Sequence, residues 1–257
     1  MRLDIVIPAH NEEDRIDRTL RAYRKAVTDP STRIVVALDR CTDGTADIVR
    51  SHVQQDERIE LHEFPKLGKG GVIMESFRRC DGDLIGFVDA DCATPPAEFV
   101  RLVEVAQATD ADCAIASRSH PAAVLPVRRS LLRRVFSLVF ARLTRVLFNL
   151  SVADTQCGAK VARREVIERS LPLLSSRDFL FDVDLLVTAE RLGYRIIEVP
   201  TVWVDRSGSR VRPAADAGLM AMSSLRLWMH HRILPVRSVR PEPSSPSGTP
   251  PEVRRAG

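Results

Sequence analysis

Short apolar runs alternate with segments of helical spacing along the first half of the chain. The apolar runs predict β-strands at Leu3–Ile7, Arg33–Leu38, Ile59–His62, Leu84–Val88 and Cys113–Ser117. Between them, apolar residues three to four positions apart predict helices at Glu12–Val27, Thr45–Gln54, Gly70–Cys80 and Pro96–Ala108. Because strands alternate with helices, the pattern predicts an α/β fold with a mostly parallel sheet covered by helices.

Polar residues follow three of these strands at the point where each strand ends. They are the segment Pro8–Glu12, Asp39, and the pair Asp89 and Asp91. In an open α/β sheet, ligands bind beyond the carboxyl ends of the strands. The three clusters therefore predict a nucleotide pocket along one edge of the sheet.

The carboxylates of Asp89 and Asp91 are the strongest candidates for a metal site. Because strand side chains alternate, both carboxylates reach one ion only where the strand ends and the chain loosens. Such a pair suits Mg²⁺ or Mn²⁺, which prefer oxygen ligands and leave positions for phosphate oxygens. The alternative is an ordinary surface turn, since carboxylates usually face solvent.

Composition and charge narrow the class of partner. The 257 residues are enough for one large α/β domain, and the formal net charge is +4. Arginines concentrate within residues 128–145 and 206–212, where they would attract nucleic acid, anionic lipid or phosphorylated substrates. Nucleic acid is least favoured, because aromatic residues are only 5% of the chain. The five cysteines lack CxxC spacing, which indicates a reduced, cytosolic chain without a disulfide framework or a zinc site.

Two later segments have amphipathic patterns. Apolar residues recur from Leu132 to Leu150 with arginines between them, which predicts a basic amphipathic helix over residues 129–150. A second such helix is predicted within residues 214–234. Each helix would lie either in a membrane interface or against a protein core. No window holds about 18 uncharged apolar residues, so we expect no transmembrane helix.

The chain divides into three parts on this basis. We expect a catalytic domain over residues 1–213, the second amphipathic helix over 214–234, and a tail over 235–257. The tail is rich in Pro, Ser and Arg and lacks periodic apolar residues, so it is predicted to be disordered. Met1 and Arg2 lead directly into the first strand, and no signal peptide is expected.

Five motifs occur in an order that resembles one enzyme family. They are Ile7–Glu12, Gly68–Gly71, Asp89–Thr94, Asp154–Lys160 and Phe181–Asp184. Together they resemble family 2 glycosyltransferases of the GT-A fold, and within that family the dolichyl-phosphate β-glucosyltransferases. The resemblance covers about residues 3–213. Polyprenyl-phosphate mannose synthases share the general plan.

The resemblance implies a nucleotide-sugar site at the edge of the sheet. The residues implied to bind the donor are Pro8, Ala9, Asn11, Glu12, Asp39, Lys69, Asp89, Ala90 and Arg210. Two other interpretations stay open: Asn11 caps a helix that starts at Glu12, and Asp39 is a turn residue. The glycines around Lys69 would permit close approach of the backbone to phosphate, with N–H donors from the helix end, and a flexible surface loop is the alternative.

The metal ligands implied are Asp91 first and Asp89 second, with Mg²⁺ or Mn²⁺ bridging the donor diphosphate. The mannose synthases have a Gln shortly after this pair, where this chain has Ala93 and Thr94. The third protein ligand is therefore open, and water or a substrate oxygen would take that position.

The residues implied to act on the acceptor are basic or acidic. Arg118, Arg129, Arg133 and Ser209 are candidates for binding an acceptor phosphate, and Arg210 would close over the donor phosphates. Asp91, Arg118, Asp154 and Asp182 are the catalytic candidates. For a hydroxyl acceptor, Asp154, Asp182 or Asp184 would act as base; otherwise Asp182 and Asp184 begin a helix and Asp154 organises a loop.

The implied reaction is inverting transfer of glucose from UDP-glucose to a polyprenyl phosphate. A lipid phosphate is already anionic near neutral pH, so no strong general base is required, and positioning and charge stabilisation would carry catalysis. The alternatives are a GDP-mannose-dependent mannosyltransferase, a family 2 transferase with a soluble hydroxyl acceptor, and a catalytically silent binding protein. The implied location is peripheral, on the cytoplasmic face of a membrane, with no nucleic-acid partner.

Overall fold

A computed structural model describes residues 1–126, 131–204 and 213–233. Within these ranges it describes all side chains except those of residues 131–138, 213–217 and 219. The predictions for the side chains of Arg129, Arg133, Ser209 and Arg210, and for the tail 235–257, lie outside the described residues.

The described residues form one seven-stranded sheet in the order β3-β2-β1-β4-β6-β5-β7. The strands are β1 Leu3–Ala9, β2 Arg33–Asp39, β3 Ile59–Phe64, β4 Leu84–Val88, β5 Cys113–Ser117, β6 Ala159–Arg163 and β7 Ile196–Pro200. All neighbouring strands pair in parallel except β6, which is antiparallel to both β4 and β5. The five predicted strands are confirmed, and β6 and β7 are additional.

Helices cover both faces of this sheet. They are α1 Ile16–Ala26, α2 Thr45–Val53, α3 Lys69–Phe77, α4 Pro96–Ala108, α5 Leu131–Phe148, α6 Arg164–Ser170, α7 Phe181–Arg191 and α8 Pro213–Ile233. Successive residues of β1 point to opposite faces, so Ile5 and Ile7 join one apolar core and Val6 joins the other. The first core packs under α1 and α4, and the second under α3 and α7.

The start of α1 differs from the prediction. The helix begins at Ile16, and Asn11 has a positive φ of 54°, so Asn11 does not cap it. Instead the Asn11 Oδ1 atom accepts a hydrogen bond of 2.7 Å from the Thr42 backbone N–H. Asparagine tolerates left-handed backbone better than most residues, which allows this turn. Asn11 therefore joins the loop after β1 to the loop after β2.

The helices α5 and α8 each divide their apolar residues between the protein and solvent. Phe140 and Phe148 of α5 pack against the core, and Leu227 of α8 is buried. The large apolar residues described as exposed are Val139, Leu143 and Val146 on α5, and Met222, Leu225, Met229 and Ile233 on α8. The two helices also pack against each other. The protein-core interpretation is confirmed for the buried residues, and the membrane-interface interpretation stays a prediction for the exposed ones. Among the described residues, no helix is long and apolar enough to cross a membrane.

Candidate active site

The three polar clusters predicted at strand ends lie at one edge of the sheet. β1 pairs in parallel with both β2 and β4, so the residues that follow these strands are neighbours. Pro8 and Ala9 are buried within β1, and Ala90 is buried in the loop after β4. These three small residues are thus packed inside the protein at this edge of the sheet.

The Asp39 carboxylate fastens the loop between β3 and α3. One oxygen accepts a hydrogen bond of 2.6 Å from the Leu67 N–H, and the other accepts one of 3.2 Å from the Gly68 N–H. The backbone carbonyl of Asp39 lies 2.6 Å from Nδ1 of His10. The Asp39 carboxylate is buried against this loop. It therefore holds the segment that carries Lys69 at the edge of the sheet.

The glycines around Lys69 allow α3 to begin against the segment that precedes α7. Gly68 has a positive φ of 81°, and a Cβ there would lie 2.6 Å from the carbonyl oxygen of Arg177. A Cβ on Gly70 would lie 2.5 Å from Cβ of Phe181. The Gly71 N–H donates a hydrogen bond of 3.1 Å to the Arg177 carbonyl. These glycines therefore allow close approach to another segment of the protein, and the predicted approach to phosphate stays a prediction.

Alternating charges connect Asp89, Lys69, Asp182 and Lys160. Nζ of Lys69 lies 2.9 Å from Oδ1 of Asp89 and 3.3 Å from Oδ2 of Asp182. The other Asp182 oxygen accepts a hydrogen bond from the buried Lys160 ammonium. Lys160 also donates a hydrogen bond of 2.7 Å to the carbonyl of Cys157. A buried carboxylate therefore has two ammonium partners, one from β6 and one from α3.

These contacts shift the ionisation of the groups involved. Burial alone would raise the pKa of Asp182, but the Lys160 and Lys69 ammonium groups outweigh it, so its pKa lies below the usual range. Burial alone would lower the pKa of Lys69, but Asp182 and Asp89 raise it above its usual value. Asp182 is therefore held as a carboxylate and Lys69 as a cation.

Gly158 provides the space that the Asp89 carboxylate occupies. β6 runs antiparallel beside β4, and the Asp89 N–H donates a hydrogen bond of 3.0 Å to the Gly158 carbonyl. A Cβ on Gly158 would lie 1.8 Å from Oδ2 of Asp89. Any side chain at this position would force the carboxylate to move.

Gly158→Ala is expected to lower the rate of the sugar transfer that the resemblance implies by more than about tenfold, and the unfolding free energy by about 1–3 kcal/mol. The new methyl group overlaps the Asp89 carboxylate, so either this side chain or the start of β6 must shift. Initial rates and urea unfolding measure the two effects. Gly218→Ala in α8 is the matched control, because a Cβ there meets nothing within 4 Å. Equal effects of the two substitutions would contradict the role of Gly158.

The carboxylates of Asp89 and Asp91 fit a hard divalent cation. Burial, and then the negative charge of Asp89, raise the pKa of Asp91, so a cation between the two would relieve their repulsion. Oδ1 of Asp91 accepts a hydrogen bond of 2.9 Å from the Ala93 N–H, which fixes the loop. Nowhere in the described ranges do three or more His, Cys, Asp or Glu side chains form a metal-binding group. Asp89 and Asp91 would hold such a cation together with water or substrate oxygens.

The Arg118 guanidinium is bound to Asp154. Nε and one terminal nitrogen donate hydrogen bonds of 2.8 and 2.7 Å to the two carboxylate oxygens, and the Arg118 N–H adds a third of 2.7 Å. The guanidinium carbon also lies 4.8 Å from the centre of the Trp203 ring. Burial alone would raise the pKa of Asp154, but Arg118 outweighs it and lowers this pKa. Arg118 was predicted to bind the acceptor phosphate, and the structure shows it paired within the protein.

Below about pH 4 the free energy of unfolding is expected to decrease as the pH decreases. The folded-state pKa values of Asp154 and Asp182 lie below their unfolded values. The stability they contribute is therefore complete above the unfolded pKa of about 3.9 and is lost as the pH falls through the folded values. Urea unfolding of the wild type and of Asp154→Asn from pH 7 to 3 measures this effect. The variant should show the weaker dependence, and identical curves would contradict the shift.

The comparisons with known proteins identify the family. The sequence matches Glycosyl transferase family 2 over residues 4–171, more than half of the chain. The chain belongs to this family. The transferase is 30% identical over 239 residues to the dolichyl-phosphate beta-glucosyltransferase of Dictyostelium discoideum, a match that covers 88% of this chain and 73% of that protein.

Other relatives carry related names. The transferase is 30% identical over 211 residues to the undecaprenyl-phosphate mannosyltransferase of Micrococcus luteus, covering 80% of this chain and 85% of the relative. It is 29% identical over 240 residues to the glycosyltransferase AglD of Haloferax volcanii, covering 91% of this chain and 38% of that longer protein. The chain thus spans well under half of the archaeal relative.

Solved structures establish the GT-A fold. Glucosyl-3-phosphoglycerate synthase from Mycobacterium tuberculosis, in complex with Mn²⁺, UDP and glucosyl-3-phosphoglycerate, superposes with a TM-score of 0.65 at 21% identity. The match covers 89% of this chain and 78% of that chain. At this identity the likeness concerns the fold, and it confirms the predicted GT-A architecture of the transferase.

Lys160 and Asp184 have roles in the transferase that were not predicted from the sequence. In the sequence Lys160 is only the last residue of the motif Asp154–Lys160, whereas the structure places it in β6, where it is 2% exposed. Asp184 accepts hydrogen bonds from the N–H groups of Ser175 and Ser176 at 2.7 and 2.8 Å and lies 2.8 Å from Nε2 of His231. Asp184 therefore attaches α8 to α7. No local pattern signals the first role, since β6 carries two basic residues within five positions.

Proposed function

We propose that this transferase moves a hexose, with glucose as the first candidate, from a nucleotide diphosphate donor to a polyprenyl phosphate. The observation that carries the proposal is the charge cluster of Asp89, Lys69, Asp182 and Lys160 beside Asp91 at the edge of the sheet. The names of the relatives support the choice of acceptor: dolichyl-phosphate beta-glucosyltransferase and undecaprenyl-phosphate mannosyltransferase.

The donor would lie over the ends of β1, β2 and β4. Asp91 and Asp89 would hold Mg²⁺ or Mn²⁺, which offsets negative charge on the diphosphate as the nucleotide departs. Lys69 reaches the same place from the start of α3, because its ammonium already lies 2.9 Å from Asp89. Lys160 would keep the buried Asp182 paired when Lys69 turns to the diphosphate. Asp182 would thus keep one ammonium partner, Lys160, after Lys69 has moved to the diphosphate.

The state of the candidate bases favours a phosphate acceptor. A hydroxyl acceptor needs a carboxylate to remove its proton, whereas a phosphate is already ionised at neutral pH. Asp182 binds two ammonium groups and Asp154 binds the Arg118 guanidinium, and both have lowered pKa values. Proton acceptance by either would break its ion pairs. Asp184 is fully buried and bound to His231. An acceptor whose attacking oxygen is already ionised, such as a phosphate, does not need Asp154, Asp182 or Asp184 as a base.

The exposed apolar residues of α5 and α8 would meet the membrane that contains the lipid. They include Leu143 on α5 and Met229 on α8, and the two helices pack against each other. Apolar side chains on surface helices of this kind insert into the interface of a bilayer. The proposed location is accordingly peripheral, and the cytoplasmic face stays a prediction.

Leu143→Glu is expected to weaken binding to vesicles of mixed neutral and anionic phospholipid by about tenfold or more. The substitution places a charge where an exposed apolar side chain would enter the bilayer. Co-sedimentation with vesicles measures the partition, and Ala97→Glu on the exposed surface of α4 is the control. If both variants sediment like the wild type, α5 does not contact the membrane.

A comparison of donors tests the proposed reaction. The purified protein, Mn²⁺ or Mg²⁺ and a short polyprenyl phosphate are mixed with radiolabelled UDP-glucose or GDP-mannose. Label entering the organic phase from UDP-glucose alone supports the proposal. Label from GDP-mannose alone favours the mannosyl alternative, for which the Micrococcus luteus relative is the specific observation. Label from neither donor would overturn both.

A further inference from the structure

One face of α1 packs against the loop after β4 that carries the two candidate metal ligands. Arg15, Thr19 and Tyr23 follow one another at four-residue intervals, and the Thr19 N–H donates a helical hydrogen bond of 3.1 Å to the Arg15 carbonyl. The Thr19 hydroxyl donates a hydrogen bond of 2.6 Å to the carbonyl of Ala90, in the middle of that loop. Tyr23 is fully buried one turn further along. Arg15 therefore lies on the same face, at the end of α1 nearest the edge of the sheet.

The Glu12 carboxylate orients the Arg15 side chain. One terminal nitrogen of Arg15 lies 2.5 Å from Oε2 of Glu12, and the Arg15 N–H donates a hydrogen bond of 2.9 Å to the Glu12 carbonyl. The Glu12 N–H donates a hydrogen bond of 2.7 Å to the Thr45 hydroxyl at the start of α2. The guanidinium is thus held in place before a ligand arrives, which lowers the entropy cost of binding. The Arg15 side chain is 21% exposed, so a ligand at this edge can reach it.

The positive charge of Arg15 acts on Asp91. Burial, and then Asp89, raise the pKa of Asp91, and the Arg15 guanidinium partly counteracts them. Because Coulomb energies decrease with distance, this effect agrees with the packing of α1 against the loop. Lys69 counteracts the same shift, and it belongs to α3 on the opposite face of the sheet. Two cationic side chains from opposite faces therefore flank the pair of aspartates.

A guanidinium on one side and an ammonium on the other suit a diphosphate. A divalent cation held by Asp89 and Asp91 keeps positions for phosphate oxygens, and Arg15 is the cationic side chain on the α1 side of these carboxylates. A guanidinium offers parallel N–H donors that match two phosphate oxygens. We propose that Arg15 binds the diphosphate of the nucleotide-sugar donor, opposite Lys69, and that Glu12 positions it. This inference rests on the proposed function and adds a donor-binding residue that lies outside the five sequence motifs.

Equilibrium binding tests this role independently of turnover. UDP and GDP, each with Mn²⁺, and Mn²⁺ alone are titrated into the full-length protein by calorimetry. The nucleoside of whichever nucleotide binds is titrated by NMR. Arg15→Gln is expected to weaken binding of the nucleoside diphosphate by about tenfold or more and to leave binding of the nucleoside and of Mn²⁺ alone unweakened.

Two further variants separate geometry from charge. Arg15→Lys is expected to recover only part of the lost affinity, because an ammonium keeps the charge without the planar fork. Arg21→Gln is the matched control and should bind like the wild type. Arg21 belongs to the same helix, its side chain is 73% exposed, and its ion pair is with Asp17.

The other outcomes separate this role from the proposed function. If the wild type binds UDP or GDP and Arg15→Gln binds it equally well, Arg15 is not a ligand of the diphosphate and the proposed function stands. If Arg15→Gln loses as much affinity for the nucleoside, or for Mn²⁺ alone, Arg15 supports the loop or the metal site and the proposal is wrong. If the wild type binds neither nucleotide, the proposed donor and this role of Arg15 are both overturned.

Discussion

Asp91→Asn is expected to lower the rate of sugar transfer by roughly a thousandfold or more while the protein stays folded. The substitution removes the charge that would hold the divalent cation at the donor diphosphate. It should not reduce stability, because the folded state already disfavours the ionised form of Asp91: burial and Asp89 raise its pKa. At neutral pH the neutral amide removes that unfavourable interaction. Activity and stability are thus predicted to change in different directions.

Initial rates at saturating donor and metal, together with thermal unfolding, measure these two effects. Glu104→Gln on the exposed surface of α4 removes a carboxylate elsewhere and should leave both quantities unchanged. Transfer by Asp91→Asn within about tenfold of the wild-type rate would exclude Asp91 as a metal ligand. A collapse of the unfolding temperature in this variant would instead show that Asp91 is structural.

Arg118→Met is expected to destabilise the protein by about 3–5 kcal/mol, because it leaves the buried Asp154 without its counter-ion. Asp154 is 3% exposed and has both oxygens bound to Arg118, so water does not replace the guanidinium. If Arg118 mainly bound the acceptor phosphate, the variant would change the acceptor KM and leave stability almost unchanged.

Urea unfolding of Arg118→Met, of Asp154→Leu and of the double variant tests this structural role. The double variant should be more stable than either single variant, because it leaves no unpaired buried charge. Additive losses in the double variant would show that the two residues do not form a stabilising pair. Wild-type stability of Arg118→Met would instead support the prediction that Arg118 binds the acceptor phosphate.

The sequence predicts the first half of the sheet well, for a physical reason. The strands β1, β2 and β4 are short apolar runs buried on both faces, and helices of clear periodicity separate them. By contrast, β6 contains Lys160 and Arg163 within five residues, and the side chains of β7 are mostly half-buried. Neither strand has the composition of a buried apolar run, and the antiparallel position of β6 depends on its neighbours rather than on its own pattern.

The site was predictable in its location but not in its internal contacts. Parallel strands bring their carboxyl ends together, so the polar residues after β1, β2 and β4 had to lie at one edge. The pairing of Lys69 with Asp182 joins residues 113 positions apart, and no local pattern contains it. Two further contacts also arise from packing across the sheet. They are the ion pair between Arg118 and Asp154, and the close approach of the Asp89 carboxylate to Gly158.

The most direct test of the proposed function compares two acceptors that differ only in the phosphate. Farnesyl phosphate and farnesol are each incubated with the protein, divalent metal and radiolabelled UDP-glucose, and the label in the organic phase is counted. Labelled lipid is expected from farnesyl phosphate alone, because Asp154 and Asp182 are held in ion pairs and cannot activate a hydroxyl group. Equal transfer to farnesol, or transfer to farnesol alone, would contradict the proposed function.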